Sequence, residues 1–222
     1  MVYDDKYWDF AEMEADTEYG KDYEINYEDK PHSKVLYIAI HGGGVEVGTS
    51  ELTKYLSDIE NQSFYEFNAK RATNNADLHI TSTHYDEPKA REMASKSNFT
   101  VSIHGNSGNA EETALGGLDE VLMGYVREEL EKEGFVVTPA PKEIAGAEPL
   151  NICNVNTRNA GVQLEISTGL RKAFFKDGDW SRSARTKPEN WTDKFYKYAL
   201  AIQRAVSRAH HLAPTRILKP RR

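Results

Sequence analysis

The chain has 222 residues, of which 39% are hydrophobic and 28% charged, and its formal net charge is −7. A chain of this length can bury a substantial core, so residues 1–222 are expected to form one domain. No apolar run is long enough to span a bilayer, no charged-then-apolar start marks a secretory leader, and no concentrated basic block interrupts the body of the chain. Membrane insertion, secretion by a leader and general nucleic-acid binding are therefore not expected; the chain is expected to be made in the cytoplasm and to act as a monomer.

Residues 1–30 hold 11 acidic side chains against three lysines, a segment read as solvated surface, and residues 213–222 form a short basic, flexible tail. Between them, short β-branched or aromatic runs predict strands at Lys34–Ile40, Ser63–Phe67, Asp77–Thr81, Phe99–Ile103, Phe135–Val137 and Gly161–Ser167. Helical spacing joins Leu52, Tyr55, Leu56 and Ile59 behind a Thr49 or Ser50 cap. A second helix carries Leu118, Val121, Leu122, Tyr125 and Leu130, with Gly134 placed to end it, and a last helix covers Trp191 to about His210. Strands alternating with helices predict an α/β three-layer sandwich on an open, mixed and largely parallel sheet. The lone Cys153 has no disulfide partner and reads as a buried small apolar residue.

Two predicted strands end alike, "YIAIHGG" and "TVSIHGN", each delivering a histidine followed at once by glycine. Carboxyl ends of strands form the rim where open α/β sheets bind ligands, so His41 and His104 are candidate partners. The run "HGGGVE" gives the backbone freedom to fold Glu46 back toward His41. Two imidazoles and a carboxylate form an ordinary zinc ligand set; the competing reading is an ordinary glycine turn beside two histidines that close their strands by hydrogen bonding. His79, placed in a strand, and His84, placed in a loop, are rival donors without the His-Gly context. In "GVQLEIS", Gln163, Glu165 and Ser167 alternate with Val162, Leu164 and Ile166. That polar face either meets solvent or lines a cleft in which Glu165 acts as a general base.

In order along the chain, "HGGGVEVGTSEL", "LHITSTHYDEP", "SIHG", "GGLDEVL" and "GVQLEIS" resemble the phage-type poly-γ-glutamate hydrolases and their prophage-derived bacterial relatives, from roughly Tyr23 to Arg171. The resemblance implies a zinc enzyme with a sheet like that of zinc carboxypeptidases, cutting the γ-glutamyl amide bonds of an anionic bacterial capsule polymer. By position it puts one zinc ion on His41, Glu46 and His104 and the base on Glu165. Because that substrate bears a carboxylate on every unit, Arg158 and Arg171, then Arg71 and Arg91, are the candidate cations to hold it. For a chain made without a leader, release on phage-driven lysis is the expected route to an extracellular polymer. Two alternatives stand beside it: a carboxypeptidase-like or acyl-amino-acid amidohydrolase acting on small substrates, and a non-catalytic capsule-binding phage protein.

Overall fold

A computed structural model describes residues 4–212, so the predicted basic tail at 213–222 lies outside the described residues. Seven strands make one open sheet: β1 (Tyr23–Glu28), β2 (Val35–Gly43), β3 (Ser63–Ala69), β4 (Phe99–Asn106), β5 (Glu112–Gly117), β6 (Val136–Pro139) and β7 (Val162–Ser167). They lie in the order β1-β3-β2-β4-β7-β5-β6. The central β3, β2, β4 and β7 run parallel, β1 pairs antiparallel with β3, and β5 pairs antiparallel with β7 and parallel with β6.

Alternation along the strands sends side chains to two separate cores. Val35 and Tyr37 of β2, Val101 and Ile103 of β4, and Leu164 and Ile166 of β7 pack with helices α2 (Thr49–Glu60), α4 (Glu120–Lys132) and α7 (Asp193–Leu212). Leu36, Ile38 and Ile40 of β2 face the other way, onto α1 (Phe10–Ala15) and α3 (Pro88–Lys96), joined there by Tyr65, Phe67 and Tyr85. Two short helices, α5 (Thr168–Ala173) and α6 (Arg182–Arg185), fill the segment before α7. The result is the expected open, mixed sheet between helical layers. Among the described residues no helix is long and apolar enough to cross a membrane.

Several local expectations need correction. Asp77–Thr81 is not a strand: Asn75–Leu78 form a 3₁₀ turn, and the residues after it pair with no neighbour in the sheet. The β-like composition of "DLHIT" reflects burial of Leu78 and Ile80, not a ladder. Thr49 and Ser50 do not cap α2; Gly48 occupies the cap, and the two hydroxyls bind the preceding loop instead, Thr49 donating to the Glu46 carbonyl and Ser50 accepting from Gly43 N–H. In α4 the cap is Asp119, which leaves Leu118 before the helix, and Val121 is 59% exposed, while Leu122, Val126 and Leu130 form the buried stripe. Gly134 does follow the end of that helix at φ +85°, where its N–H closes on the Glu131 carbonyl.

The order of the sheet also fixes where a ligand can sit. From β2 the chain crosses through α2 to β3 on one side, then returns through α3 on the opposite face to β4 on the other side. The connections therefore diverge between the carboxyl ends of β2 and β4, which leaves a crevice there. His41 and His104 lie at those two ends.

Candidate functional site

Strand alternation alone would keep His41 and His104 on opposite faces of the sheet. Odd-numbered Val35 and Tyr37 face the α7 side, whereas on β4 it is even-numbered Ser102 and His104 that face away from it. A register shift between Ala39 and Gly42 in the β2–β3 pairing breaks the alternation just at His41 and turns its side chain. The glycines after it permit the close packing this requires. A Cβ on Gly42 would lie 2.5 Å from the Phe67 carbonyl oxygen, and Gly43, at φ +66°, would place one 2.4 Å from the Ala69 carbonyl oxygen. Glu46 then returns to His41, its N–H donating to the His41 carbonyl at 2.8 Å.

The three side chains converge. His41 Nδ1 lies 3.1 Å from His104 Nδ1 and 3.1 Å from Glu46 Oε1, while His104 Nδ1 is 3.4 Å from Glu46 Oε2. All three residues are buried. The outer nitrogens are already committed: His41 Nε2 donates to the Ile80 carbonyl at 2.8 Å, and His104 Nε2 contacts Ser102 Oγ at 2.9 Å. A carbonyl only accepts, so the His41 proton sits on Nε2 and the Nδ1 lone pair faces inward. Tetrahedral zinc with bonds of about 2.0–2.1 Å separates its ligand atoms by about 3.3 Å, close to the spacing found here. The donor set and its geometry fit a divalent metal ion.

The same contacts set the charges in the metal-free group. Burial would raise the Glu46 carboxyl, but the imidazoles of His41 and His104 hold it well below the usual carboxylate range. Burial would lower His104, and the Glu46 carboxylate outweighs it and raises the ring. Glu46 also accepts from Gly105 N–H at 2.9 Å, so its carboxylate is fixed on both oxygens.

Glu165 stands beside this group, opposite His104 in the β4–β7 register, and accepts from Gln163 Nε2 at 2.8 Å. Burial is the main influence on its carboxyl and pushes it up, helped by the Glu46 charge. His41, Glu46, His104 and Glu165 together line a cavity of about 350 Å³, whose wall also includes residues 142–148, Asn151 and Gln163. His79 lines it too, its ring centroid 3.9 Å from that of His41. Burial, and next to it His41, lower His79 to about 4, so the ring is neutral near pH 7 and its Nδ1–H donates to Asp5. His84 is outside the group and packs on Trp8.

The four arginines are not brought to the cavity. Arg158 pairs with Asp119 and covers the Phe99 ring, Arg71 pairs with Asp22 at 2.9 Å, and Arg91 donates weakly to the Leu150 carbonyl. Arg171 is buried, with its guanidinium donating to the carbonyls of Ile166, Val47 and Asn106 at 3.0, 2.7 and 3.1 Å. It ties α5, β4 and the glycine loop together. Arg171→Ala is therefore expected to lower the unfolding free energy by about 2–4 kcal/mol in a urea titration, since several carbonyls lose a charged donor together. An unchanged midpoint would show that this clamp carries no load. The basic side chain that does line the cavity, apart from histidine, is Lys142. Sequence reasoning missed it because a single lysine among Glu143 and Glu148 has no distinguishing pattern.

A buried His–Glu–His set at the carboxyl edge of an open α/β sheet, with a further glutamate in the same cavity, is an arrangement suited to a metal-dependent hydrolase. The chain belongs to the poly-γ-glutamate hydrolase family, whose model matches residues 7–201. It is 36% identical to the UPF0714 protein YmaC of Bacillus subtilis (strain 168), over 90% of this chain and 83% of that protein. It is 35% identical to the SPbeta prophage-derived UPF0714 protein YoqZ of the same strain, over 91% of this chain and 72% of that one. Among solved structures, a bacteriophage poly-γ-glutamate hydrolase superposes with a TM-score of 0.89 at 35% identity, covering 94% of this chain and 99% of its own. The zinc-free form of YndL gives 0.86 at 33% identity, covering 93% and 100%.

Proposed function

We propose that this chain is a zinc-dependent hydrolase of the γ-glutamyl amide bonds of poly-γ-glutamate, acting as one catalytic domain on the capsule polymer. The observation that carries this reading is the inward convergence of His41 Nδ1, His104 Nδ1 and the Glu46 carboxylate within the cavity that Glu165 lines, in a chain of this family. His41, Glu46 and His104 would hold one zinc ion, which when bound polarises an amide carbonyl and acidifies water. Glu165, raised by burial and therefore a stronger base than a solvated glutamate, takes the proton of the attacking water and returns it to the leaving nitrogen. Gln163 holds Glu165 in place through its amide.

The polymer carries a carboxylate on every unit, and the chain is net negative, so a local cation has to receive it. None of the four arginines lines the cavity, whereas Lys142 does, and Lys142 is assigned that role here. Lys142→Ala is expected to raise KM for the polymer several-fold and leave kcat close to normal, because the lost contact is made equally in ground and transition states. An unchanged KM would return the role to other cations.

The direct test is incubation of the polymer with the protein, with and without a chelator, followed by sizing of the products. Shortening without chelator and none with it is expected. Polymer of unchanged length in both would reject the proposal, and metal-dependent cleavage of short acyl-glutamates alone would favour the small-substrate amidohydrolase.

A further inference from the structure

The acidic N-terminal segment reaches, through Asp5, the residues that support the His41–Glu46–His104 group. Asp5 Oδ1 accepts from His79 Nδ1 at 2.5 Å and its Oδ2 from Thr81 N–H at 2.7 Å. Between those two anchored residues lies Ile80, whose carbonyl takes the Nε2–H of His41. The His79 ring packs along the His41 ring with the planes 31° apart. One tripeptide thus supplies both the hydrogen bond and the ring that support His41 from behind, and no strand ladder holds it, since it follows the 3₁₀ turn outside the sheet.

The segment bearing Asp5 is itself well fastened. Tyr7, Phe10 and Met13 are buried in the core under α3, and Phe10 N–H donates to Asp86 at 2.9 Å. Tyr7 also donates to Asp16 at 2.6 Å. An anchor at this depth can hold the tripeptide at both ends.

We infer that Asp5 is a positioning residue for the metal ligand His41: by clamping His79 and Thr81 it sets the Ile80 carbonyl and the His79 ring so that the His41 Nδ1 lone pair points at Glu46 and His104. This rests on the zinc reading above. Partners that fix the tautomer and plane of a ligating histidine are worth about 10–100-fold in metal affinity. Asp5 acts one contact further out, so an effect of about tenfold is expected.

The test uses the full chain with Asp5→Ala, Asp5→Asn and, as a control, Asp16→Ala, which loosens the same segment without touching residues 79–81. Zinc affinity is read by competition with a chromophoric chelator, and the His41 tautomer by nitrogen-15 NMR of the zinc-free protein. Asp5→Ala should bind zinc about tenfold more weakly and show His41 as a mixture of tautomers. Asp5→Asn keeps one acceptor and should fall between, and Asp16→Ala, which leaves both Asp5 contacts in place, should lose clearly less than Asp5→Ala. Wild-type affinity and a single Nε2–H tautomer in folded Asp5→Ala would overturn the inference, as would an equal loss in Asp16→Ala. If Asp5→Ala does not fold, wild-type values in Asp5→Asn overturn it. A wild-type protein that binds no zinc would instead defeat the metal reading, and the zinc-free tautomers would still decide the clamp.

Discussion

His104→Ala is expected to lose its zinc and its hydrolysis of poly-γ-glutamate together, with turnover falling on the order of a thousandfold or more. The size follows from the coordination. With Nδ1 of His104 removed, two of three protein donors remain, and a carboxylate held low by two neighbouring imidazoles faces only one of them. His41→Ala and Glu46→Ala should behave alike, for His41 and Glu46 each contact both other members of the set. His84→Ala provides the contrast: this ring packs on Trp8 outside the cluster, so zinc content and rate should stay normal. Metal analysis and the polymer assay on the same preparations decide the matter, and full zinc occupancy in the His104 variant would remove it from the ligand set.

The parts of the site that were legible in the sequence share one property, a chemical residue that interrupts an apolar strand pattern. "YIAIHGG" and "TVSIHGN" announce themselves because a histidine and glycine interrupt β-branched runs, and the alternation in "GVQLEIS" marks Glu165. What the pattern could not convey was orientation. His41 joins His104 only because a register shift turns it, and a bulge depends on pairing with β3, far away in the chain. The same limit hid β5: "ETALGG" carries few strand formers, and its pairing with β7, about fifty residues on, is what makes it a strand. β1 went unread because its alternation of Tyr23, Ile25 and Tyr27 with Glu24, Asn26 and Glu28 sits in an acidic stretch that looks solvated.

Arginine contacts were illegible in the sequence for a different reason. Sequence proximity to the Glu165 strand does not say what a guanidinium binds, and Arg171 has buried carbonyls within reach that claim its donors before any substrate could. Asp5 is the reverse case. Nothing in "YDDKYWDF" separates it from the other ten acidic residues of the first thirty; only the folded chain brings it to His79, 74 positions away.

Glu165→Gln should keep its zinc and lose its chemistry. The substitution preserves the volume and the acceptor that meets Gln163, and Glu165 is not a member of the converging donor set, so metal content is expected to match wild type. The amide cannot take a proton from water, however, and a positioned general base contributes about 10²–10⁴-fold, so kcat should fall by at least about a hundredfold. KM should change little, because ground-state binding does not require that proton transfer. Gln163→Ala separates position from basicity: it removes the bond that holds Glu165 while leaving the carboxylate able to accept, and a smaller loss, in kcat more than in KM, is expected. Two results would take Glu165 out of the mechanism. One is near-normal kcat in Glu165→Gln at full zinc occupancy, and the other is a loss of zinc in that variant equal to the loss of rate, which would make the residue a support of the metal rather than the acceptor of the proton.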